Sequence, residues 1–163
     1  MNKLDLLAIK MMEYDKGDSH RIQHFMKVHD LSRLIGAREN MPAHELFVLE
    51  AAALTHDIGI KKAMELYGKC DGKFQEELGP EIARKMLSEL NFTEEEISRV
   101  CYLIAHHHTY DNIDGLDYQI LVEADFLVNL HEGGNSKESI KSTYDKIFKT
   151  KSGKEICSLM FNI

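Results

Sequence analysis

An all-α fold, a compact helical bundle, is the reading that three observations support. Apolar residues recur at three- and four-residue steps almost throughout the chain. Only two prolines occur, Pro42 and Pro80. β-Branched residues rarely alternate with polar ones, so the ordinary signature of strands is missing. The 163 residues fit one domain, 1–163, and 44% hydrophobic residues are enough for a substantial core.

The elements follow in order. A first helix is expected over about Leu4 to Tyr14. Asp18-Ser19 caps a second that runs to about Ile35, with Gly36 as its stop. Pro42 suits the first turn of a third, whose face Phe47, Ala51, Leu54, Ile58 keeps the helical step until Gly59 breaks it. Tyr67 to Lys73 reads as a loop, and a helix follows around Pro80 to Leu90. Thr93 with Glu96 forms a capping-box pattern for the next, which carries Ile97, Val100, Cys101 and Ile104 and ends in His106-His107-His108. Asp111 to Asp114 is a turn. Leu116 to Leu130 is the most apolar helix, and Gly133-Gly134 ends it. Two shorter helices, about Lys137 to Phe148 and Gly153 to Phe161, close the chain.

The formal charge is −7 and the pI is near 5.7. A partner of duplex nucleic acid is not expected, because binding its phosphates needs a surplus of Lys and Arg. A small phosphorylated ligand stays compatible, since one site can be cationic in an acidic protein. Cys70, Cys101 and Cys157 are far apart and form no CxxC pair, which suits reduced thiols. The segment Met1 to Met12 is amphipathic, carries Asp5 and does not read as a signal peptide. No stretch approaches the roughly 20 apolar residues of a membrane span. A cytoplasmic protein without a membrane partner is therefore expected. Nothing in the pattern specifies an oligomeric state.

His56-Asp57 stands at the end of the apolar run Ala51-Ala52-Ala53-Leu54-Thr55. Burying an ionised carboxylate there is costly unless a cation or hydrogen bonds offset it. A metal ion does so and takes the histidine as a second ligand. Further ligand types lie on other helices: His24, the run His106-His107-His108, and Asp125 inside the most apolar helix. A bundle aims such side chains into one central site. Plainer readings stand beside this one. His20 and His24, one turn apart, also fit a polar face. Three histidines at a helix end also fit a solvated terminus favoured by the dipole. A structural hydrogen bond also accounts for Asp125, with Glu123 as its surface companion. Imidazole with carboxylate suits Zn, Mn, Fe, Ni or Co without choosing among them.

The order His…His-Asp…Asp resembles the HD-domain superfamily of metal-dependent phosphohydrolases. The resemblance spans about Ser19 to Leu130. His24-Phe25-Met26-Lys27-Val28 is similar to that family's opening histidine helix. Leu54-Thr55-His56-Asp57-Ile58-Gly59 is similar to its name-giving motif, and Val122-Glu123-Ala124-Asp125 to its closing aspartate segment. The resemblance implies a compact helical HD-domain bundle with a central metal site. His24, His56, Asp57 and Asp125 would hold one divalent transition metal there. Members with two ions add ligands from the intervening helices, and His107 and His108 match the histidine-rich helix end. Consecutive residues stand about 100° apart on a helix, so both reach one site only if the helix unwinds. In the branch that hydrolyses diadenosine tetraphosphate, a histidine shortly precedes a Gly-Ala or Gly-Pro helix start. Gln75-Glu76-Glu77-Leu78-Gly79-Pro80 stands there in this chain. Glu76 is the preferred oxygen ligand in its place, and an oxygen-rich second site favours Mn, Fe or Mg.

On the same resemblance, Asp57 would bridge two ions or orient the attacking water. Phosphoryl oxygens need a cationic partner, and Lys61, four residues on, is the first choice. Lys27 and Thr109 are weaker candidates for substrate binding, as are Tyr67 and Tyr110 for stacking on a base. The expected function is hydrolysis of a phosphomonoester or phosphoanhydride of a small nucleotide-like metabolite through metal-activated water. Two alternatives stay open: a di-iron oxygenase on the same fold, and a metal- or nucleotide-binding sensor without turnover. Competing motifs are missing, among them the Gly-x-Ser-x-Gly elbow, the Walker loop and a Gly-Tyr-Pro after the histidine-rich helix.

Overall fold

Side-chain caps fix where many helices begin. Asn2 accepts from the Asp5 amide ahead of α1 (Lys3–Tyr14), and Asp18 from the Arg21 amide ahead of α2 (Ser19–Arg38). Pro42 precedes α3 (Ala43–Thr55), and α4 (Gly59–Tyr67) follows after a tight corner. Next come α5 (Gly72–Glu89) and α6 (Glu94–His106), where Thr93 and Glu96 exchange both bonds of the capping box. The chain closes with α7 (Leu116–Glu132), α8 (Lys137–Ile147) and α9 (Lys151–Phe161), the last two capped by Ser136 and Thr150. The structure, a computed structural model, describes residues 2–163, and no strand occurs among them. No helix among the described residues is long and apolar enough to cross a membrane.

α3 lies at the centre of the packing. Ala51 to Thr55 are all buried, with α1, α2, α6 and α7 as neighbours. The small side chains of Ala51, Ala52 and Ala53 let those neighbours approach closely. α7 is nearly as enclosed, with Ile120 to Asp125 buried in succession. α2 packs on both α3 and α7, and α5 on both α4 and α6. The C-terminal end of α3 therefore meets α2, α7 and the end of α6.

Glycines account for most boundaries that differ from expectation. Gly36 does not stop α2. It lies inside the helix and is buried, where an added Cβ would stand 2.7 Å from Leu46 Cδ1. The left-handed residue past the helix end is Asn40, at φ 57°. Gly59 follows the end of α3 and opens α4, a helix the sequence reading did not assign. A Cβ there would meet the Gln75 carbonyl oxygen at 2.8 Å and the Gly79 nitrogen at 2.9 Å, so two backbones touch at this glycine. α5 begins at Gly72, not at Pro80, which sits inside the helix. Its buried stripe, Gln75, Gly79, Ala83 and Leu87, steps by four but starts with a polar residue and a glycine. Gly59→Ala is expected to lose about 1–3 kcal/mol, read from the urea midpoint, although alanine is the better helix former.

Glu123 is a second correction, for it is fully buried rather than on the surface. Its carboxylate accepts from the amides of Lys149 at 2.6 Å and Thr150 at 2.9 Å, the Thr150 hydroxyl at 2.5 Å and Gln119 Nε2 at 2.7 Å. It thereby ties α7 to the start of α9.

Candidate metal centre

Local folding at three chain corners aims the side chains. The Asp18 cap sets the register of α2, which places Arg21 and His24 on one face, three residues apart. At the end of α3, Thr55 Oγ1 bonds back to the Ala51 carbonyl at 2.8 Å. The Ile58 amide then reaches Thr55 O and the Ile60 amide reaches Asp57 O, both at 3.0 Å. His56-Asp57 thus occupies the corner between α3 and α4. α6 unwinds at His107, whose ψ is −14°, and the Thr109 amide bonds His106 O at 2.8 Å. The Tyr118 hydroxyl holds this corner through the carbonyls of His106, at 2.8 Å, and Thr109. Unwinding brings both His107 and His108 to Asp57.

The atoms converge closely. His24 Nε2 and His56 Nε2 are 3.3 Å apart. Asp57 Oδ2 lies 3.3 Å from the first and 3.5 Å from the second. Asp125 Oδ1 lies 3.2 Å and 3.4 Å from them. Donors sharing one ion at about 2.1 Å stand about 3.0–3.4 Å apart, which is close to this spacing. A second group, Asp57, His107 and His108, has ligand atoms within 4.8 Å of one another. Asp57 belongs to both groups, with Oδ1 3.6 Å from His107 Nε2.

Hydrogen bonds behind the rings decide their tautomers. His56 Nδ1 faces the Ala53 carbonyl at 2.8 Å, and His107 Nδ1 faces the Ile104 carbonyl at 2.7 Å. His24 Nδ1 faces Glu132 Oε2 at 2.9 Å. Those oxygens only accept, so each Nδ1 carries the proton and each Nε2 turns a lone pair into the cluster. Two facing lone pairs at 3.3 Å repel unless a cation lies between them. His107 Nε2 is buried with no hydrogen-bond partner. Such orphaned, convergent donors fit a divalent ion.

Without an ion, a proton takes that place. Burial pushes the His56 imidazole down, but Asp57 and Asp125 outweigh it and raise the ring to about 9. Burial pushes both carboxyls up. The His56 and His107 imidazoles outweigh it at Asp57 and hold that carboxyl well below the usual range. Hydrogen bonds from His24 and His56 do the same for Asp125. The cluster thus demands positive charge in either state.

The structure brings His24, His56, Asp57, Asp125, His107 and His108 together but sends other expected site residues elsewhere. Lys61 does not approach Asp57. The chain turns at Gly59, so Lys61 Nζ donates instead to the Tyr14 carbonyl at 2.7 Å. Arg21 stands where that cation was expected, with Nη1 2.9 Å from Asp57 Oδ2 and a buried, unpartnered Nε. Glu76 is not at the cluster. Its Oε1 accepts from the His108 amide and the Thr109 hydroxyl, both at 3.0 Å, because α5 starts early and presents Gln75 to the centre. Thr109 is thereby engaged as well. Lys27 lies behind the centre, where its Nζ pairs with Glu132 Oε1 at 2.9 Å. Burial and the neighbouring His107 push His108 down to about 4.

Glu132 reaches the centre through the His24 ring, and its Oε2 also lies 3.8 Å from His20 Nε2. Glu132→Ala is expected to weaken metal affinity roughly 10- to 100-fold by freeing His24 to rotate. Equilibrium dialysis checks this, and an unchanged affinity would show that α2 alone orients the ring. A cleft of about 320 Å³ opens on the other side, where Arg21 lines it with Asp15, Asp18 and Lys61. The larger hollow, about 620 Å³, borders α3 and α6 and is lined by none of the cluster residues. Arg99 in that hollow already forks onto Asp117 at 2.7 Å.

Comparison with known proteins identifies the family and the fold. No curated relative matches the chain. The fold is similar to a solved structure of a predicted HD superfamily hydrolase from an uncultured Thermotogales bacterium. The TM-score is 0.66 at 23% identity, over 98% of this chain and 83% of that one. A profile of the HD domain matches residues 21–149, from Arg21 through His24, the His56-Asp57 corner and Asp125 to the link between α8 and α9. The chain belongs to the HD domain family.

Proposed function

We propose that this protein is a metal-dependent phosphohydrolase. It hydrolyses a phosphomonoester or phosphoanhydride of a small, nucleotide-like metabolite. The observation that carries the reading is the inward set of Nε2 lone pairs around two buried carboxylates, with the Arg21 guanidinium at its edge. His24, His56, Asp57 and Asp125 would hold a divalent transition metal. Such an ion lowers the pKa of a bound water toward neutrality and polarises a phosphoryl oxygen.

The chain's own residues supply the rest. Asp57 faces both ligand groups, so it is placed to accept a hydrogen bond from the attacking water and hold it in line. The Arg21 guanidinium, held by Asp57 and lining the adjoining cleft, suits the equatorial oxygens of a phosphoryl group. The buried rings of His56 and His107 exclude bulk water from the back of the centre. The ring of Tyr110 is exposed beside His108, a flat partner for a base.

A phosphate-release screen tests the proposal. Metal-stripped protein is reloaded with Mn(II), Fe(II), Zn(II), Ni(II) or Co(II) and offered nucleotide mono- and polyphosphates. Release from at least one substrate is expected, and Arg21→Ala should cut kcat/KM by roughly 100-fold. Nucleotide binding with no release from any substrate would favour the sensor reading instead.

A further inference from the structure

We propose that the centre is unequal: one ion is held tightly by His24, His56, Asp57 and Asp125, while Gln75 keeps the second position, at Asp57, His107 and His108, from holding a transition metal with comparable affinity. The inference rests on the metal-dependent reading above and adds what sets the number of ions.

The orientation of the Gln75 carboxamide is determinate. The side chain is buried, and its Nε2 donates to the Cys70 carbonyl at 2.8 Å. Oε1 is therefore the atom facing His108 Nε2, also at 2.8 Å. A carboxamide oxygen only accepts, so His108 Nε2 carries the proton. A protonated ring nitrogen has no lone pair for a metal. The free lone pair of His108 lies on Nδ1, which faces the Tyr110 hydroxyl at 3.4 Å. This tautomer is the reverse of the one at His24, His56 and His107.

Close packing resists rotation of the ring. The Gly72 backbone lies against it, and a Cβ there would stand 2.8 Å from His108 Cγ. The His107 ring covers another side, with centroids 4.0 Å apart. Glu76 holds the backbone amide of His108 at 3.0 Å. The second position is left with two free donors, Asp57 Oδ1 and the unpartnered His107 Nε2. Four buried donors with fixed outer partners suit a resident ion, whereas two suit a labile one.

Calorimetric titration of the metal-stripped protein with Mn(II), followed in parallel by electron paramagnetic resonance, tests this. The wild type is expected to bind one tight equivalent with the hyperfine pattern of an isolated ion. Any second equivalent should bind at least roughly 100-fold more weakly. Gln75→His, which replaces the blocking oxygen with a ligand nitrogen, should take up two tight equivalents and give the spectrum of a coupled pair. Should that variant fail to fold, nitrogen-resolved NMR of the wild type with one equivalent of Zn(II) decides, and the expected result is a proton on His108 Nε2. Two equivalents bound equally tightly by the wild type, or a metal-bound His108 Nε2 in that spectrum, overturns the inference and leaves the metal-dependent reading standing. A protein that binds no Mn(II) or Zn(II) overturns both.

Discussion

Asp57→Ala is expected to abolish both retained metal and metal-dependent phosphate release, with helical circular dichroism preserved. Asp57 is the one residue shared by the two ligand groups, and it also anchors Arg21 at 2.9 Å. Its removal deletes a donor from the tight site and leaves the weaker position with His107 alone. The loss in affinity should exceed the roughly 10- to 100-fold expected for an outer partner such as Glu132. Breaking a buried charge pair also costs about 3–5 kcal/mol, so folding must be followed alongside. Asp57→Asn keeps the volume and one oxygen and removes only the charge. Equal loss in both variants would assign the effect to charge. Full turnover in either one sinks the mechanism.

Glu123→Ala is expected to be the most damaging substitution for stability among residues outside the centre. It leaves the buried Thr150 amide and the part-buried Lys149 amide beside a cavity with no acceptor. Each unsatisfied donor costs about 1–3 kcal/mol, and the loss of a buried, multiply bonded carboxylate about 3–5 kcal/mol in all. The melting temperature should fall by roughly 6–20 °C for a chain of this size. A Gln in place of the Glu keeps one acceptor and should recover part of the loss. A shift under about 2 °C would mean that water replaces the carboxylate. Gly153 belongs to the same unit, since a Cβ there would come within 2.0 Å of Glu123 Oε2.

The centre was more legible from sequence than the devices that support it. His56-Asp57 and Asp125 stand out because charged or imidazole groups interrupt apolar helical stretches, whereas His24, on a helix that also carries His20, was singled out through the order of the family's motifs. The caps at Asp18 and Thr93 are local hydrogen bonds between near neighbours, which a linear chain displays directly. Arg21 was not singled out, although it sits three residues before His24 on the same helix face. Lys61 drew attention instead because i, i+4 spacing was carried across a corner at Gly59. Gly36, Gly59 and Gly79 resemble breakers in a sequence but act through tertiary contact, with Leu46, Gln75 and Ile104 in the space a Cβ would fill. That also hid α4 and the first turns of α5, and with them the placement of Gln75 rather than Glu76 at the centre. Glu132 lies two residues past the expected end of its helix. Glu123 and Tyr118 act through bonds to residues far along the chain or to backbone carbonyls, which no local pattern encodes.

Elemental analysis of protein purified without added metal, compared with His56→Ala prepared identically, tests the central claim most directly. The wild type should carry close to one equivalent of Fe, Mn, Zn, Ni or Co, and the variant almost none. Equal metal in both proteins, or a wild type that stays empty even after incubation with each of those ions, would contradict the account.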